Sequence, residues 1–359
     1  MRFLEAWTRT KSSPLFGLDI SSSSLKLVEL GQNASGHYVV NRVGQQALES
    51  GWVVEGQVER FDEVADAVRH LVTRSGTNIR RVAMALPQAS VITRKITVPA
   101  GLREDELEIQ VESEVNQYVP FSMDEVSLDY CVVGPSPTAP DELEVFVAAS
   151  RKDKVQDRQA LAEAAGLVPA VLDIESHAAR LAISRWAACL PRQGKDAVIA
   201  LFEIGGESTG LKVLSNDELL YDRDQAFGGA QLTRLISQQY GLSPEEAERR
   251  KIDGSLPSSY LTDLLEPYVD SLAHEISRAL QYFFTSTAYH HVDHVLLAGG
   301  TATLAGLANR VQEVTGFDCM LVNPFDAMQL GSGVSPASLM RDAPAYLVAC
   351  GLAMRRFHP

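Results

Sequence analysis

Cysteine is scarce in this chain: Cys131, Cys189, Cys319 and Cys350 are scattered through 359 residues, with no CxxC pair. That spacing excludes a disulfide framework or a paired-thiol zinc site and suits reduced core thiols in a reducing compartment. Positive charge is short as well. Against 46 Asp and Glu stand 32 Lys and Arg, a net charge of −14 without a basic stripe, which argues against nucleic acid or anionic lipid as the main partner. No run of eighteen apolar residues occurs, and the opening "MRFLEAWTRTKSSP" lacks the apolar stretch of a signal peptide. The expectation is a soluble, cytoplasmic protein. Phe3, Leu4 and Trp7 among Arg2, Arg9 and Lys11 would suit a membrane surface, although a frayed terminus is the simpler reading.

Several motifs are missing too. There is no GxxxxGK[ST] and no GxGxxG after a strand, so neither a P-loop nor a Rossmann dinucleotide site is read. No Ser-His-Asp or Cys-His arrangement can be argued. "HHVDH" (His290, His291, Asp293, His294) lacks the HExxH spacing and reads as a polar loop before a buried strand. What is present is ordinary globular material, 45% apolar and 22% charged, in a chain long enough for two or more domains.

Periodicity predicts an α/β first half. Strands flank a serine turn at residues 16–30, "HYVVNRVGQQAL" follows as a strand, and residues 61–76 form a helix. Phe61, Val64, Val68, Leu71 and Val72 share that helix's face, Gly76 ends it, and "RRVAMALP" is a buried strand. Residues 91–168 then read as a βαββα block, its first helix over 103–119 with Leu107, Val111, Val115 and Tyr118 on one face. It is long enough to be an inserted subdomain. Strand and helix return in "AVLDIESHAARLAISRWAACL", and "PRQGKD" is a hinge. The second half repeats the strand–turn–strand start, has a helix near residues 228–241 and a helical stretch over 243–288, within which Pro267 suits a helix start. Leu265, Tyr268, Leu272, Ile276, Ala279 and Phe283 form a core stripe there. "HVLLAGGTATLAGL" reads as strand, glycine turn and helix, and "DAPAYLVACGLAM" as a closing apolar helix.

Two stretches stand out because one resembles the other. "FGLDISSSSLKLVEL" (16–30) and "LFEIGGESTGLKVL" (201–214) each run from an apolar strand to an acid, a turn of small residues, and a second apolar strand. Duplication at half-chain spacing suggests two similar lobes offering one turn each to a shared ligand. Ser21, Ser22, Ser23 and Ser24 in one turn, and Gly205, Gly206, Ser208, Thr209 and Gly210 in the other, let backbone N–H groups approach an anion. Asp19 and Glu203 can hold magnesium through waters, and Lys26 can meet a phosphate. Gly299, Gly300 and Thr301, opening a helix, would add free N–H groups. Either turn alone is as well explained by a plain hairpin with a solvated acid.

In this order the three elements resemble the superfamily of actin, hexokinase and the 70-kDa heat-shock chaperones. That resemblance implies an actin-like two-lobed ATPase fold made of duplicated ribonuclease H-like domains, binding ATP and Mg²⁺ between the lobes. "DISSSSLK" resembles the first phosphate loop, with Asp19 and Lys26 seven residues apart. "DIESHAARLA" is similar to the first connecting helix, which puts Glu175 where an acid or amide positions water. Gly228 and Gly229 in "FGGAQLTRLI", and Glu248 and Lys251 in "AERRK", resemble the nucleotide-contacting helices of the second lobe. Glu203 stands where the superfamily generally has Asp. A carboxylate one methylene longer displaces the charge that orients water, so ATP is expected to be kept and hydrolysed poorly.

The inserted block falls where the cell-division protein FtsA carries its 1C subdomain, and no equivalent of FtsA's C-terminal membrane helix is expected. "NQYVPFSMDEVSLDY", "LAGGTATLAGL" and "NPFDAM" resemble the PilM family of type IV pilus assembly. The resemblance implies subdomain 1A at 1–90 plus 169–196, 1C at 91–168, 2A at 197–240 plus 289–342, 2B at 241–288, and a C-terminal helix, 343–359, returning to 1A. It also implies a cytoplasmic platform, peripheral to the inner-membrane face. Such a platform binds the N-terminal tail of PilN in a groove between 1A and 1C, and meets other platform and motor proteins. The alternative is a working hydrolase or phosphotransferase of the filament-forming or sugar-kinase type, although no "DxGTxxxR"-like loop is found.

Overall fold

Both strand–turn–strand stretches fold as hairpins, and each opens a sheet of the same design. The structure, a computed structural model, describes residues 13–137 and 139–358. Phe3, Leu4 and Trp7, read as a frayed terminus with lipid contact as the alternative, lie outside the described residues.

In the first half, β1 (Phe16–Ile20), β2 (Ser24–Gln32) and β3 (Tyr38–Ala47) form an antiparallel meander. A ribbon, β4 (Val53–Val54) with β5 (Gln57–Val58), leads to α1 (Phe61–Ser75) and β6 (Arg81–Leu86). Helix α1 buries Val64, Val68, Leu71 and Val72 and ends at Gly76, whose φ of 67° lets its N–H reach back to Thr73 O. The chain then makes β7 (Val91–Pro99), α2 (Glu104–Val115), β8 (Val126–Pro135), β9 (Glu142–Arg151) and α3 (Lys152–Ala164). It returns through β10 (Val168–Ile174) to α4 (Glu175–Ala187).

The second half runs β11 (Ile199–Ile204), β12 (Thr209–Ser215), β13 (Glu218–Gln225), α5 (Ala230–Tyr240), α6 (Pro244–Asp253) and α7 (Glu266–Ser286). After these come β14 (His294–Ala298), α8 (Leu307–Thr315), β15 (Cys319–Leu321), β16 (Gln329–Leu330), α9 (Pro336–Asp342) and α10 (Leu347–Met354). The second sheet has the order β13-β12-β11-β14-β15. The first, β3-β2-β1-β6-β10, repeats it and is extended beyond β3 by β16. In both, the second strand pairs antiparallel with its neighbours, while the last two join the first strand's other side in parallel. Parallel neighbours require crossovers, which the helices supply. This is the ribonuclease H-like order, met twice.

The block between β6 and β10 is a three-stranded sheet, β7-β9-β8, with α2 on one face and a core of its own around Val98, Val111, Val115, Val145 and Val147. Two expectations change here. Helix α2 takes up only Glu104–Val115 of the stretch 103–119, so Tyr118 lies beyond it, and Leu107 and Tyr118 are only partly buried. Helix α3, read as closing the insert, instead sends Leu161, Ala162 and Ala165 into the core that Leu71 and Met84 share beneath the first sheet. The reason is topological, since α3 is the crossover between the parallel strands β6 and β10. By packing, the insert is residues 91–151.

The expected helical stretch 243–288 is interrupted. Gly254, with φ of 66°, caps α6, and a wide turn at Leu261–Leu265 leads into α7, whose first turn holds Pro267. The stripe from Leu265 to Phe283 is buried as predicted. Between the sheets lie α4 and α10, joining Ala83 and Ala85 of the first half to Leu201 and Leu296 of the second. Their approach needs glycine: a Cβ on Gly351 would overlap the Ala178 carbonyl, and one on Gly17 would lie 2.6 Å from Ala353 N. The closing helix is shorter than expected, because a 3₁₀ turn at Ala343–Tyr346 precedes α10. Among the described residues no helix is long and apolar enough to cross a membrane.

Candidate functional site

Strand alternation sorts the ends of β1 and β11. Leu18 and Ile20 enter the outer core, while Gly17 packs on α10, so Asp19 shares the inner face that looks toward the other lobe. Asp19 is paired in register with Lys26, whose Nζ lies 3.1 Å from Asp19 Oδ2 and donates to Ser21 Oγ at 3.1 Å. Ser21 Oγ in turn donates to Ser24 O at 2.8 Å, closing the turn. On β11, Phe202 and Ile204 belong to the second lobe's outer core and Leu201 to the seam, which turns Glu203 inward.

Glu203 has a lysine of its own, which the sequence reading passed over. Lys212 Nζ lies 3.3 Å from Glu203 Oε2. The signal was visible: "SSLKLVEL" and "TGLKVL" place a Leu-Lys pair at the same point of the second strand. Lys212 stands opposite Asp222 on β13, and Gly210 stands opposite Asp224. A Cβ on Gly210 would lie 2.9 Å from both Lys212 Nζ and Asp224 Oδ1, so glycine leaves the room this ammonium occupies. Burial opposes the charge on Lys212, but Glu203, Asp222, Asp224 and Glu175 together outweigh it and hold the ammonium protonated.

Glu175, the first residue of α4, is reached by the same fields. Burial, reinforced by the carboxylates of Asp19 and Glu203, pushes its pKa up to about 8. At neutral pH it is therefore mostly a protonated acid. Burial also raises Asp222, against the opposing pull of the Lys212 charge and a hydrogen bond with Ser176.

The two turns meet. A Cβ on Gly206 would lie 3.5 Å from Ser22 Oγ and 3.7 Å from Ser23 Cβ, so the turns of the two halves are in near contact. Behind Gly205 and Gly206, the N–H groups of Gly229 and Ala230 donate to their carbonyls at 3.0 and 2.8 Å. A Cβ on Gly228 would lie 2.6 Å from Gly206 O. Thr301 Oγ1 donates to Gly205 O at 2.8 Å, and Gly299, at φ of 89°, backs onto Ile204. Gly205, Gly206, Gly228, Gly229 and the Gly299–Thr301 turn thus form one cradle.

Other predicted residues are placed differently. Thr209 is fully buried and its hydroxyl donates to Phe227 O at 2.8 Å, away from the cleft. Glu248 and Lys251 bond each other at 2.5 Å, and Lys251 donates to Thr233 Oγ1 at 2.9 Å, which ties α6 to α5. The Gly300–Thr301 turn does not open an α-helix: a 3₁₀ turn covers Gly300–Thr303 and α8 starts at Leu307, so no helix N-terminus faces the cleft there. Ser208 lies in "GESTG", which has the GxSxG spacing, but it joins strand to strand rather than strand to helix. The small, glycine-rich turns fit a polyphosphate. The fit to a divalent cation is poorer, since Asp19 and Glu203 each carry a lysine and the described residues hold no group of three metal-ligating side chains. In "HHVDH", His291 and His294 face separate acids, Asp293 and Asp318, at 3.7 and 3.8 Å.

A family model described as type IV pilus assembly protein PilM matches residues 17–357. Among solved structures, one described as the PilM-PilN type IV pilus biogenesis complex is 29% identical, with a TM-score of 0.80 over 97% of this chain and 100% of that one. The ethanolamine utilization protein EutJ from Carboxydothermus hydrogenoformans is 17% identical, with a TM-score of 0.56 over 94% and 88% of the two chains, a likeness of fold.

Proposed function

The chain belongs to the family of type IV pilus assembly protein PilM and has its actin-like, two-lobed fold, and from this premise we propose that it is an ATP-binding scaffold that captures the N-terminal tail of the inner-membrane protein PilN. One observation carries the nucleotide half of the reading. Gly206 of one lobe stands within van der Waals reach of Ser22 and Ser23 of the other, so a single polyphosphate can be gripped by both turns. The backbones of Ser21–Ser23, Gly205 and Gly206 would hold its phosphates, Lys26 would add a positive charge, and the cradle at Gly228, Gly229 and Gly299–Thr301 would lie under the nucleoside. Bound there, ATP supplies a triphosphate whose charge draws the lobes together, and any Mg²⁺ would reach Asp19 through waters.

Chemistry at this cleft is weak on the same geometry. Glu175, which would orient or deprotonate water, is mostly protonated at neutral pH and cannot accept a proton. Binding without fast turnover suits a platform that nucleotide orders rather than an engine.

The tail is assigned to the seam between the first lobe and the insert. There Phe146 packs on His177 with ring centroids 5.0 Å apart, and Arg355 meets Asp173 at 3.1 Å. Val132 and Val133 stand exposed on β8, an edge of the inserted sheet. Apolar side chains beside unpaired strand edges suit an extended peptide. Such a scaffold works on the cytoplasmic face of the inner membrane, touches lipid only through partners, and links the pilus platform to its motor. Titrating a PilN tail peptide tests this, with ATP expected to tighten binding in the wild type. Unchanged tail affinity in Asp19→Asn or Lys26→Ala proteins that no longer bind ATP would defeat the coupling.

A further inference from the structure

Lys212 takes no part in the phosphate contacts assigned to the two turns. Its ammonium lies 3.3 Å from Glu203, faces Asp222 across the β12–β13 ladder, and occupies the space that Gly210 leaves next to Asp224. A strand end that collects several carboxylates in a phosphate cleft ordinarily calls for a divalent cation. Here a covalently attached cation already stands among them, on a side chain only 6% exposed.

We propose that Lys212 is the resident counter-ion of the second turn: it neutralises Glu203 in place of a metal, so that this chain captures a nucleoside triphosphate with little dependence on magnesium. The proposal rests on the nucleotide reading of the cleft for its second half only. Three features support it. Lys212 matches Lys26 in the duplicated unit, so each turn brings its own cation. The described residues contain no group of three metal-ligating side chains to compete with it. Glu203 is only a quarter exposed, with its ion pair formed, so a hydrated metal has to displace Lys212 before it can bind.

Two measurements on the full chain test this. In the first, Mn²⁺ alone is titrated without nucleotide and followed by electron paramagnetic resonance. Wild type and Glu203→Gln are expected to behave alike, with no site tighter than about 1 mM, the weak end of carboxylate sites. A tighter site in the wild type that Glu203→Gln removes overturns the proposal, whether or not ATP binds. In the second, ATP affinity is measured by calorimetry with magnesium and with EDTA. The wild-type values are expected within about threefold, because the lysine supplies the missing charge. Lys212→Met should lose at least about tenfold in EDTA and recover part of it with magnesium, while Lys212→Arg should stay near wild type. Because Lys212→Met leaves the half-buried Glu203 without its ion pair, the pair Lys212→Met with Glu203→Gln is measured beside it for a folded reference. A wild type that needs magnesium to bind ATP overturns the metal-sparing role. Failure of the wild type to bind ATP in either buffer overturns the nucleotide reading, and the Mn²⁺ titration still decides what Glu203 holds.

Discussion

Glu175 shows how much a single side chain at the seam can report. Its pKa rises from 4.5 to about 8, so between those values the folded protein keeps a proton that the unfolded chain releases. Stability therefore falls as pH rises across that window. Glu175→Gln imitates the protonated acid and has nothing to lose. The melting temperatures of the two proteins should agree near pH 4 and separate by pH 8.5, with the variant higher. A constant difference across that range would mean that Glu175 is not raised. Glu203→Asp belongs to the same scale. Restoring the shorter acid should raise single-turnover phosphate release with little change in ATP affinity, and an unchanged rate would remove the account of slow hydrolysis. The sequence marked Glu203 as the acid into which an apolar strand runs, and Glu175 through the resemblance of "DIESHAARLA" to a connecting helix. It did not mark the raised pKa of Glu175, which comes first from burial at the seam and then from Asp19 and Glu203 on opposite lobes.

At the scale of elements, glycines decide which segments can touch. A Cβ at Gly228 would sit 2.6 Å from Gly206 O and 2.7 Å from Gly205 O. Gly228→Ala must therefore push the second turn out of its cradle, and ATP affinity should fall at least about tenfold. The loss in stability should be smaller, about 1–3 kcal/mol by urea denaturation. At Gly351, where the Ala178 carbonyl lies in the way, Ala separates α10 from α4 and the cost should appear mainly in stability. Helix identities were legible from 3.6-residue periodicity, as the buried face of α1 and the stripe of α7 show. Helix ownership was not. Nothing local in residues 152–164 says that Leu161 and Ala162 join Leu71 under the first sheet, because a crossover's place is set by the strands it connects.

Across the whole molecule, the turn between β12 and β13 connects the cleft to the insert. Asp217, at its tip, meets Arg180 of α4 at 2.8 Å and also bonds Ser184, while Glu218 pairs with Lys95 on β7. The same two strands carry Lys212 and Asp222 at their other end. Reversing the exposed charge with Glu218→Lys should change stability by less than about 1 kcal/mol, as for most surface pairs. It should leave ATP affinity alone yet shrink the effect of ATP on tail binding, compared by titrating the tail with and without nucleotide. An undiminished effect would mean that the hairpin does not carry the signal.

Residue order alone determined that this chain has two lobes of one design and which turns each lobe offers. Those properties are local, written in strand alternation and small-residue turns on a contiguous stretch. The family could be read there too, because its motifs are contiguous words. Only the tertiary structure decided what surrounds each charge. Lys212 and Asp222 meet through strand register, Asp19 and Glu203 act on Glu175 across the seam, and Gly206 reaches Ser22 across half the chain. Electrostatic fields and steric contacts depend on distance in space, and distance in sequence does not encode them.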